Sequence, residues 1–395
     1  MRRVPKPDRL PYPVLASGFR LSFLLAALAA TLLIPAWIAV QVYGVPLIEG
    51  WPPTLWHAHE MLYGFIAAAI AGFLLTAVPS WTGRRGFGGA PALLLGVLWL
   101  AARVLAARAA AWPAALVAGV DCAFLLALVA LFAPPLLRER NRNTPLLLVL
   151  LALAACNLLF HRALARHDPP AAGQALRIAI DIVVLLVTIV GGRIVPAFTA
   201  TALRAAGSVV RVRTHRALGG AAIAATFAVV VVDIFWPGGR LAAVLAGLTA
   251  LLQALRLLQW RGWRAWHEPM VWVLQAAYAW LPIGFALKCA VLLWGPAASA
   301  FWLHALTVGA MATMILGVMS RTALSHTGRP MRVGTLSMAA YVLLLLAALT
   351  RVFGLAVPGL DYVAVLALSG AFWTTAFALY LFEYGPMLWR PRLRD

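Results

Sequence analysis

Residues Trp56–Gly83 read WHAHEMLYGFIAAAIAGFLLTAVPSWTG, two histidines and a glutamate followed by an apolar run without a further charge. At about 1.5 Å per residue, such a run crosses a hydrocarbon layer of about 30 Å as an α-helix. Similar runs cover 19–42, 54–80, 90–107, 113–134, 145–166 and 172–200. They continue at 216–236, 240–260, 271–294, 300–320, 335–356 and 362–389. Lipid admits only helices and closed barrels, and runs that are continuously apolar rather than alternating select helices. The expected fold is therefore all-α, a polytopic transmembrane bundle of about twelve helices. The expected organisation is a cytoplasmic segment 1–18, a membrane domain 19–389 and a tail 390–395.

The composition leaves almost nothing over for a soluble domain. Of 395 residues, 64% are hydrophobic and 11% charged, and the mean hydropathy is +0.91. A net charge of +20 suggests nucleic acid, but its distribution points elsewhere. Arg2, Arg3, Lys6 and Arg9 precede the first run, and Arg84, Arg85, Arg138, Arg140 and Arg142 follow in alternate loops. The same side carries Arg204, Arg211, Arg213, Arg216, Arg261, Arg264, Arg321, Arg329, Arg332, Arg390, Arg392 and Arg394. The opposite loops hold only Arg108, Arg166 and Arg240. This is the positive-inside pattern, with both ends in the cytoplasm, anionic lipid as the partner and no role for nucleic acid. The first run reads as a retained helix rather than a signal peptide, since Pro11 and Pro13 interrupt it and no small-residue cleavage site follows. Trp51, Trp56, Trp112, Trp236 and Trp294 fall at helix ends, as interface anchors do. Cys122, Cys156 and Cys289 lie inside separate runs and read as small buried residues.

Ionisable groups inside a span are costly and mark sites by default. On the expected topology His57, His59 and Glu60 lie about 5–10 Å from the outer end of the second span. His304 opens the tenth span, and His161 closes the fifth at a similar level. His215, His267 and His326 fall in cytoplasmic loops and His167 in an outer loop, where ordinary exposure accounts for them. Arg103, Asp121, Arg177, Asp181, Asp233, Lys288 and Arg351 also occupy the outer half, and together they suggest a polar cavity open to the periplasm. Arg177 and Asp181 are one turn apart and can neutralise each other; Arg103 and Asp121 are expected to find partners. The plainer reading of each is a buried ion pair that fixes helix register.

Positions two apart on a helix point about 200° from each other, so His57 and His59 cannot serve one ion while the segment stays helical. His57, Glu60, Met61 and Gly64 form one stripe, where the small Gly64 would leave room for a flat ring; His59 and Tyr63 form the opposite one. His304, Val308, Met311 and Met314 form a stripe on the tenth span, and thioether sulfur suits Cu(I). A lone membrane histidine is more often a packing residue than a ligand. Several at one depth shift the balance toward metal, because imidazole is a common ligand of haem iron and copper.

Three stretches carry a resemblance: Trp56–Gly83, GGRIVPAFT at Gly191–Thr199, and HALTVGAMATMILGVMSRTALSHTGR at His304–Arg329. With twelve spans they resemble the NnrS family of bacterial membrane proteins, with Ser80 standing where the family is expected to carry Asn. The resemblance implies a haem- and copper-containing protein of the cytoplasmic membrane that protects against nitric oxide in denitrifying and other bacteria. His57, His59, Glu60 and His304 fall within the matching motifs; His161 does not.

The leading expectation is haem iron on one or two of His57, His59 and His304, binding nitric oxide from the bilayer, with copper on the remaining histidines. Arg177 or Arg103 would meet the haem propionates, while Arg193 snorkels at the inner interface near a kink at Pro196. Reduction would draw protons through Glu60, Asp121 or Asp181. It would draw electrons from an external donor such as quinol, because no CxxCH motif is present. A twelve-helix secondary transporter is the rival, although TGRRGFGGAP at Thr82–Pro91 lacks the Asp of major-facilitator carriers. A sensor or metal-delivery factor that binds without turnover is the third reading.

Overall fold

The computed structural model describes residues 12–295 and 299–393, with the backbone alone at 299 and 300. Arg2, Arg3, Lys6, Arg9 and Arg394 lie outside them. Twelve helices among the described residues are long and apolar enough to cross a membrane. They are α1 (Gly18–Tyr43), α2 (Pro53–Thr82), α3 (Ala90–Ala107), α4 (Ala114–Arg138), α5 (Leu146–Ala165) and α6 (Pro169–Ala205). Then follow α7 (Arg216–Phe235), α8 (Gly239–Gln259), α9 (Pro269–Trp294), α10 (Phe301–His326), α11 (Thr335–Ala356) and α12 (Tyr362–Trp389). No strand occurs among the described residues, and the one isolated bridge joins Glu49 to Arg108. The chain is a multi-pass membrane protein.

Why these helices belong in lipid shows on α8. Leu241, Val244, Leu248, Leu251, Leu255 and Leu258, spaced three or four apart, are exposed. The opposite face buries Ala242, Ala243, Ala246, Thr249, Ala250, Gln253 and Arg256. Large apolar residues outward and small or polar residues inward is the pattern of a lipid-facing helix, because helix contacts in a membrane gain from close packing and polar bonds.

Two sequence expectations shift at helix ends. α6 runs 37 residues to Ala205, past the expected end at 200, with Pro196 inside it. α10 continues to His326, which is the last helical residue rather than a loop position, with its ring 5.5 Å from Phe19. Among the free cysteines, Cys122 and Cys156 are buried as expected, and Cys289 is half-buried.

The chain divides into two compact units. Unit 1 comprises Met1–Leu176, Met319–Arg332 and Phe377–Asp395; unit 2 comprises Arg177–Val318 and Val333–Ala376. In unit 1, α1 packs on α2, where a Cβ on Gly72 would stand 2.4 Å from the Phe23 ring. α3 packs on α4 and α4 on α5, and Trp99 of α3 donates to the Gly64 carbonyl of α2 at 2.8 Å. The start of α1 is tied to the end of α12 by Arg20, which donates to the carbonyls of Leu388 and Arg390. In unit 2, α8 packs between α7 and α9, and α10 packs on α9 and α11. Gly309 of α10 lies under the Trp280 indole, so close that a Cβ would fall 2.4 Å from it.

Each unit contains a π-helical stretch directly behind a histidine. Glu60–Ile66 follows His59 in unit 1, and Ala305–Ala312 follows His304 in unit 2. Such wide turns are rare and concentrate at functional sites.

Candidate metal centre

The buried cluster of unit 1 is built by four helices. α2 supplies His59 and Glu60, α3 Arg103, α4 Asp121, and α5 Asn157 and His161. Asn157 and His161 are one turn apart and share a face, so a single helix presents both. All six side chains are buried.

Asp121 is the centre of the cluster. Its Oδ2 lies 2.9 Å from His59 Nε2 and 3.0 Å from His161 Nε2, and accepts a hydrogen bond from Asn157 Nδ2 at 2.7 Å. Its Oδ1 accepts from Arg103 Nη2. Glu60 closes the ring: its Oε1 is 3.1 Å from His59 Nδ1, and its Oε2 is 3.4 Å from Arg103 Nε. Arg103 is thus shared between two carboxylates, and His59 has a carboxylate at each ring nitrogen. Charges alternate around the ring, which is how ionised groups become tolerable when buried.

Two features give the cluster capacity beyond its internal bonds. Glu60 Oε2 and Arg103 Nε and Nη1 are buried without a hydrogen-bond partner. His59, Asp121 and His161 each also offer a ligand atom, and the three atoms lie within 4.8 Å of one another. Ligand bonds of about 2.0–2.1 Å separate neighbouring donors by about 2.9–3.3 Å at octahedral or tetrahedral angles. Two imidazoles and one carboxylate are donors that suit a borderline transition-metal ion, and both Nε2–Oδ2 separations fall within that range. Glu60 on Nδ1 of His59 is the carboxylate–histidine arrangement that orients a ligating ring from behind.

A cavity of about 420 Å³ reaches the cluster at His161. It is lined by Trp51, Pro52, Val117 and Leu164, with His167 and Asp168 beside them. Trp51 separates the cavity from the deeper ring, with its indole centroid 5.4 Å from His161 and 5.0 Å from His59. The segment carrying Trp51 is anchored by Glu49, which accepts from Arg108 Nη1 at 2.6 Å and donates its own N–H to the Ala107 carbonyl.

The structure brings some expected site residues together and places others elsewhere. Arg103 and Asp121 do find partners, and they are each other's. His59 keeps Tyr63 on its stripe, with ring centroids 4.9 Å apart, while Glu60, whose Oε2 lies over Gly64, also reaches His59 Nδ1. His57 lies outside the cluster and is stacked on Trp37 at 4.1 Å. The room expected beside Gly64 does not exist: a Cβ there would stand 3.2 Å from Arg103 Nη1 and 3.4 Å from Glu60 Oε2. A haem ring has no seat on that face, which Arg103 and Glu60 fill.

His304 is half-buried at the head of α10 in unit 2. Of its supposed stripe, Met311 and Met314 are buried, the latter's Cε 3.4 Å from where a Cβ on Gly191 would be. They serve as packing residues there. Lys288 is in ion-pair contact with Asp233, and Asp181 is buried on α6 one turn after Arg177.

Sequence reasoning missed Asn157 and Arg256. An amide one turn before His161 in an otherwise apolar helix was the available signal for the first. Arg256 is 6% exposed; it donates to the Thr188 carbonyl at 2.8 Å and to the Tyr278 hydroxyl at 3.0 Å. Its guanidinium lies where a Cβ on Gly192 would be. The glycine pair of GGRIVPAFT admits Arg256 at Gly192 and the Tyr278 ring at Gly191.

The family model described as "NnrS protein" matches residues 13–392, nearly the whole chain. No curated protein matches it.

Proposed function

Because the chain belongs to the NnrS family, we propose that it acts in the bacterial cytoplasmic membrane in the response to nitric oxide, with a transition-metal ion on His59, Asp121 and His161. Copper is the metal that the family resemblance implies. The convergence of three ligand atoms within 4.8 Å in a buried cluster carries this reading. On the topology that the arginines suggest, both termini are cytoplasmic and the cluster faces the periplasmic leaflet. There it meets a small, neutral gas that dissolves in lipid.

The bound ion would supply a site at which nitric oxide coordinates. The chain's own residues prepare that site. Arg103 and Asn157 fix the carboxylate of Asp121, Glu60 orients the His59 ring, and Trp51 with Pro52 and Leu164 offers an apolar approach from the cavity. A bound ion would take the place of the hydrogen bonds between both Nε2 atoms and Asp121, and a proton on either nitrogen would move to Nδ1 of its ring or leave to the medium. Any reduction draws its electrons from an external membrane donor of the quinol class. The haem that the resemblance implies finds no seat beside Gly64.

The test is anaerobic titration of the purified full-length protein with copper, following metal content, proton release and nitric oxide binding. One ion per chain is expected, and a His59→Ala, His161→Ala double variant should lose it. Unchanged metal content in that variant would reject the site. Nitric oxide consumption with a reductant separates an enzyme from a sensor or delivery factor. The transporter reading draws on the division into two units, each with a π-helical stretch behind a histidine. Solute uptake into proteoliposomes without metal-dependent nitric oxide binding would select it.

A further inference from the structure

Where α10 and α12 end, unit 1 draws four arginines together. Arg20, in the first turn of α1, is 4% exposed and donates from Nη1 to the carbonyls of Leu388 at 3.2 Å and Arg390 at 2.6 Å. A guanidinium has five N–H groups, and among the described residues Nε and Nη2 of Arg20 have no protein acceptor. The tail beyond α12 folds back onto the turn that follows α10. Leu393 donates its N–H to the Thr327 carbonyl at 3.0 Å, and Arg329 Nη1 donates to the same oxygen at 3.4 Å. Gly328 permits that contact: its φ is +71°, and a Cβ there would stand 2.5 Å from the Leu393 carbonyl oxygen and 3.4 Å from Arg392 Cγ. Phe19 links the parts, with its ring 5.5 Å from that of His326 and 6.0 Å from the Arg20 guanidinium carbon.

The tail is thus held through backbone groups, which gather cationic side chains without neutralising them. Among the described residues, none of Arg20, Arg329, Arg390 and Arg392 pairs with a carboxylate. Burial, and then the charge of Arg390, hold the Arg329 guanidinium below its usual pKa. Like charges gathered in this way are stabilised by an anion, and guanidinium groups match the oxygens of a phosphate. The surroundings favour a phosphate that carries hydrocarbon with it. Trp389 and Leu393, which flank Arg390 and Arg392 in the chain, are 62% and 51% exposed, and Trp beside arginine at the end of a spanning helix is the composition of a membrane interface.

We propose that this clasp is a binding site for the phosphate headgroup of an anionic lipid, formed by Arg20, Arg329, Arg390 and Arg392, with Trp389 and Leu393 against the acyl chains. It differs from the general attraction of basic loops for anionic lipid, because its arginines come from three separate segments that only the folded-back tail assembles. The inference stands on unit 1 and does not rest on the metal site.

The test is native mass spectrometry of the full-length protein, delipidated in detergent and titrated with phosphatidylglycerol, phosphatidylcholine or inorganic phosphate. One phosphatidylglycerol per chain is expected to bind ahead of phosphatidylcholine, and inorganic phosphate should not displace it. Arg20→Gln would also loosen α12 from α1, so the more exposed arginines are the ones to change. Arg329→Gln combined with Arg392→Gln should weaken binding about tenfold or more. Gly328→Ala keeps every charge but pushes the tail away, and should weaken it as well. Arg138→Gln combined with Arg142→Gln, a basic pair on another loop, should leave it unchanged. Equal weakening by the two arginine pairs, or unchanged affinity in Gly328→Ala, would reduce the site to general surface charge and overturn the proposal. Equal binding of phosphatidylcholine would do the same, and displacement by inorganic phosphate would assign a site for soluble phosphate instead.

Discussion

Two arginines, each buried in its own unit, answer the same physical problem in opposite ways. Arg103 in unit 1 stands between Glu60 and Asp121 and belongs to a ring of alternating charges. Arg256 in unit 2 directs its hydrogen bonds to neutral groups, the Thr188 carbonyl and the Tyr278 hydroxyl, and stands 5.8 Å from the Trp260 ring. Tyr278 in turn donates to Gln253, which reaches Thr188 and Thr226. The first arrangement concentrates charge and imidazole at one point beside a cavity, which is what coordination chemistry requires. The second spreads one charge over dipoles and an aromatic face, which suits holding helices together. Buried charge in this protein therefore does not mark function by itself; the company that the charge keeps does.

The contrast is broken most directly by removing each arginine. Arg103→Leu strands two buried carboxylates, and a loss of about 3–5 kcal/mol is expected in thermal or denaturant unfolding of the purified protein. Arg256→Leu leaves only neutral acceptors unsatisfied, for about 1–3 kcal/mol. Equal losses would show that the two networks are energetically alike. Gly192→Ala probes the unit 2 network sterically, since the new methyl would meet the Arg256 guanidinium about which Tyr278 and the Thr188 carbonyl are arranged. A cost of about 1–3 kcal/mol is expected, as for overpacking, and a neutral outcome would mean that Arg256 moves freely. The mildest change is His57→Ala. It removes the stack on Trp37, worth about 0.5–1.5 kcal/mol, and should leave metal content unaltered. A loss of metal there would bring His57 into the site and sharpen the boundary of the unit 1 cluster.

Legibility followed the range of the interactions. The apolar runs needed only length and composition to be read as helices, and the observed ends mostly fall within a few residues of the runs. The exceptions share a cause: at α6 the helix runs on through Pro196 to Ala205, and at α10 it runs on to His326. Beyond a hydrocarbon layer, composition no longer reports whether a helix goes on. The site was legible as a set of costly residue types: Arg103 and Asp121 find the partners expected of them, and of the four candidate histidines His59 and His161 join them. Depth along a helix axis says nothing about azimuth. His57 and His59 differ by two positions, yet one stacks on Trp37 and the other enters the ring.

The sequence alone determined that this chain is a bundle of membrane-spanning helices, that its arginines lie on alternate loops, and that it resembles the family to which it belongs. Each of those follows from local composition or from motifs contiguous along the chain. Only the tertiary structure decided that Asp121, rather than any histidine, is the hub of the unit 1 cluster, that Arg103 fills the space over Gly64, and that Lys288 pairs with Asp233. Those outcomes depend on how four or more helices turn about their own axes when they pack. That rotation is fixed by side chains distant in sequence, such as Trp99 on Gly64 and Phe23 on Gly72.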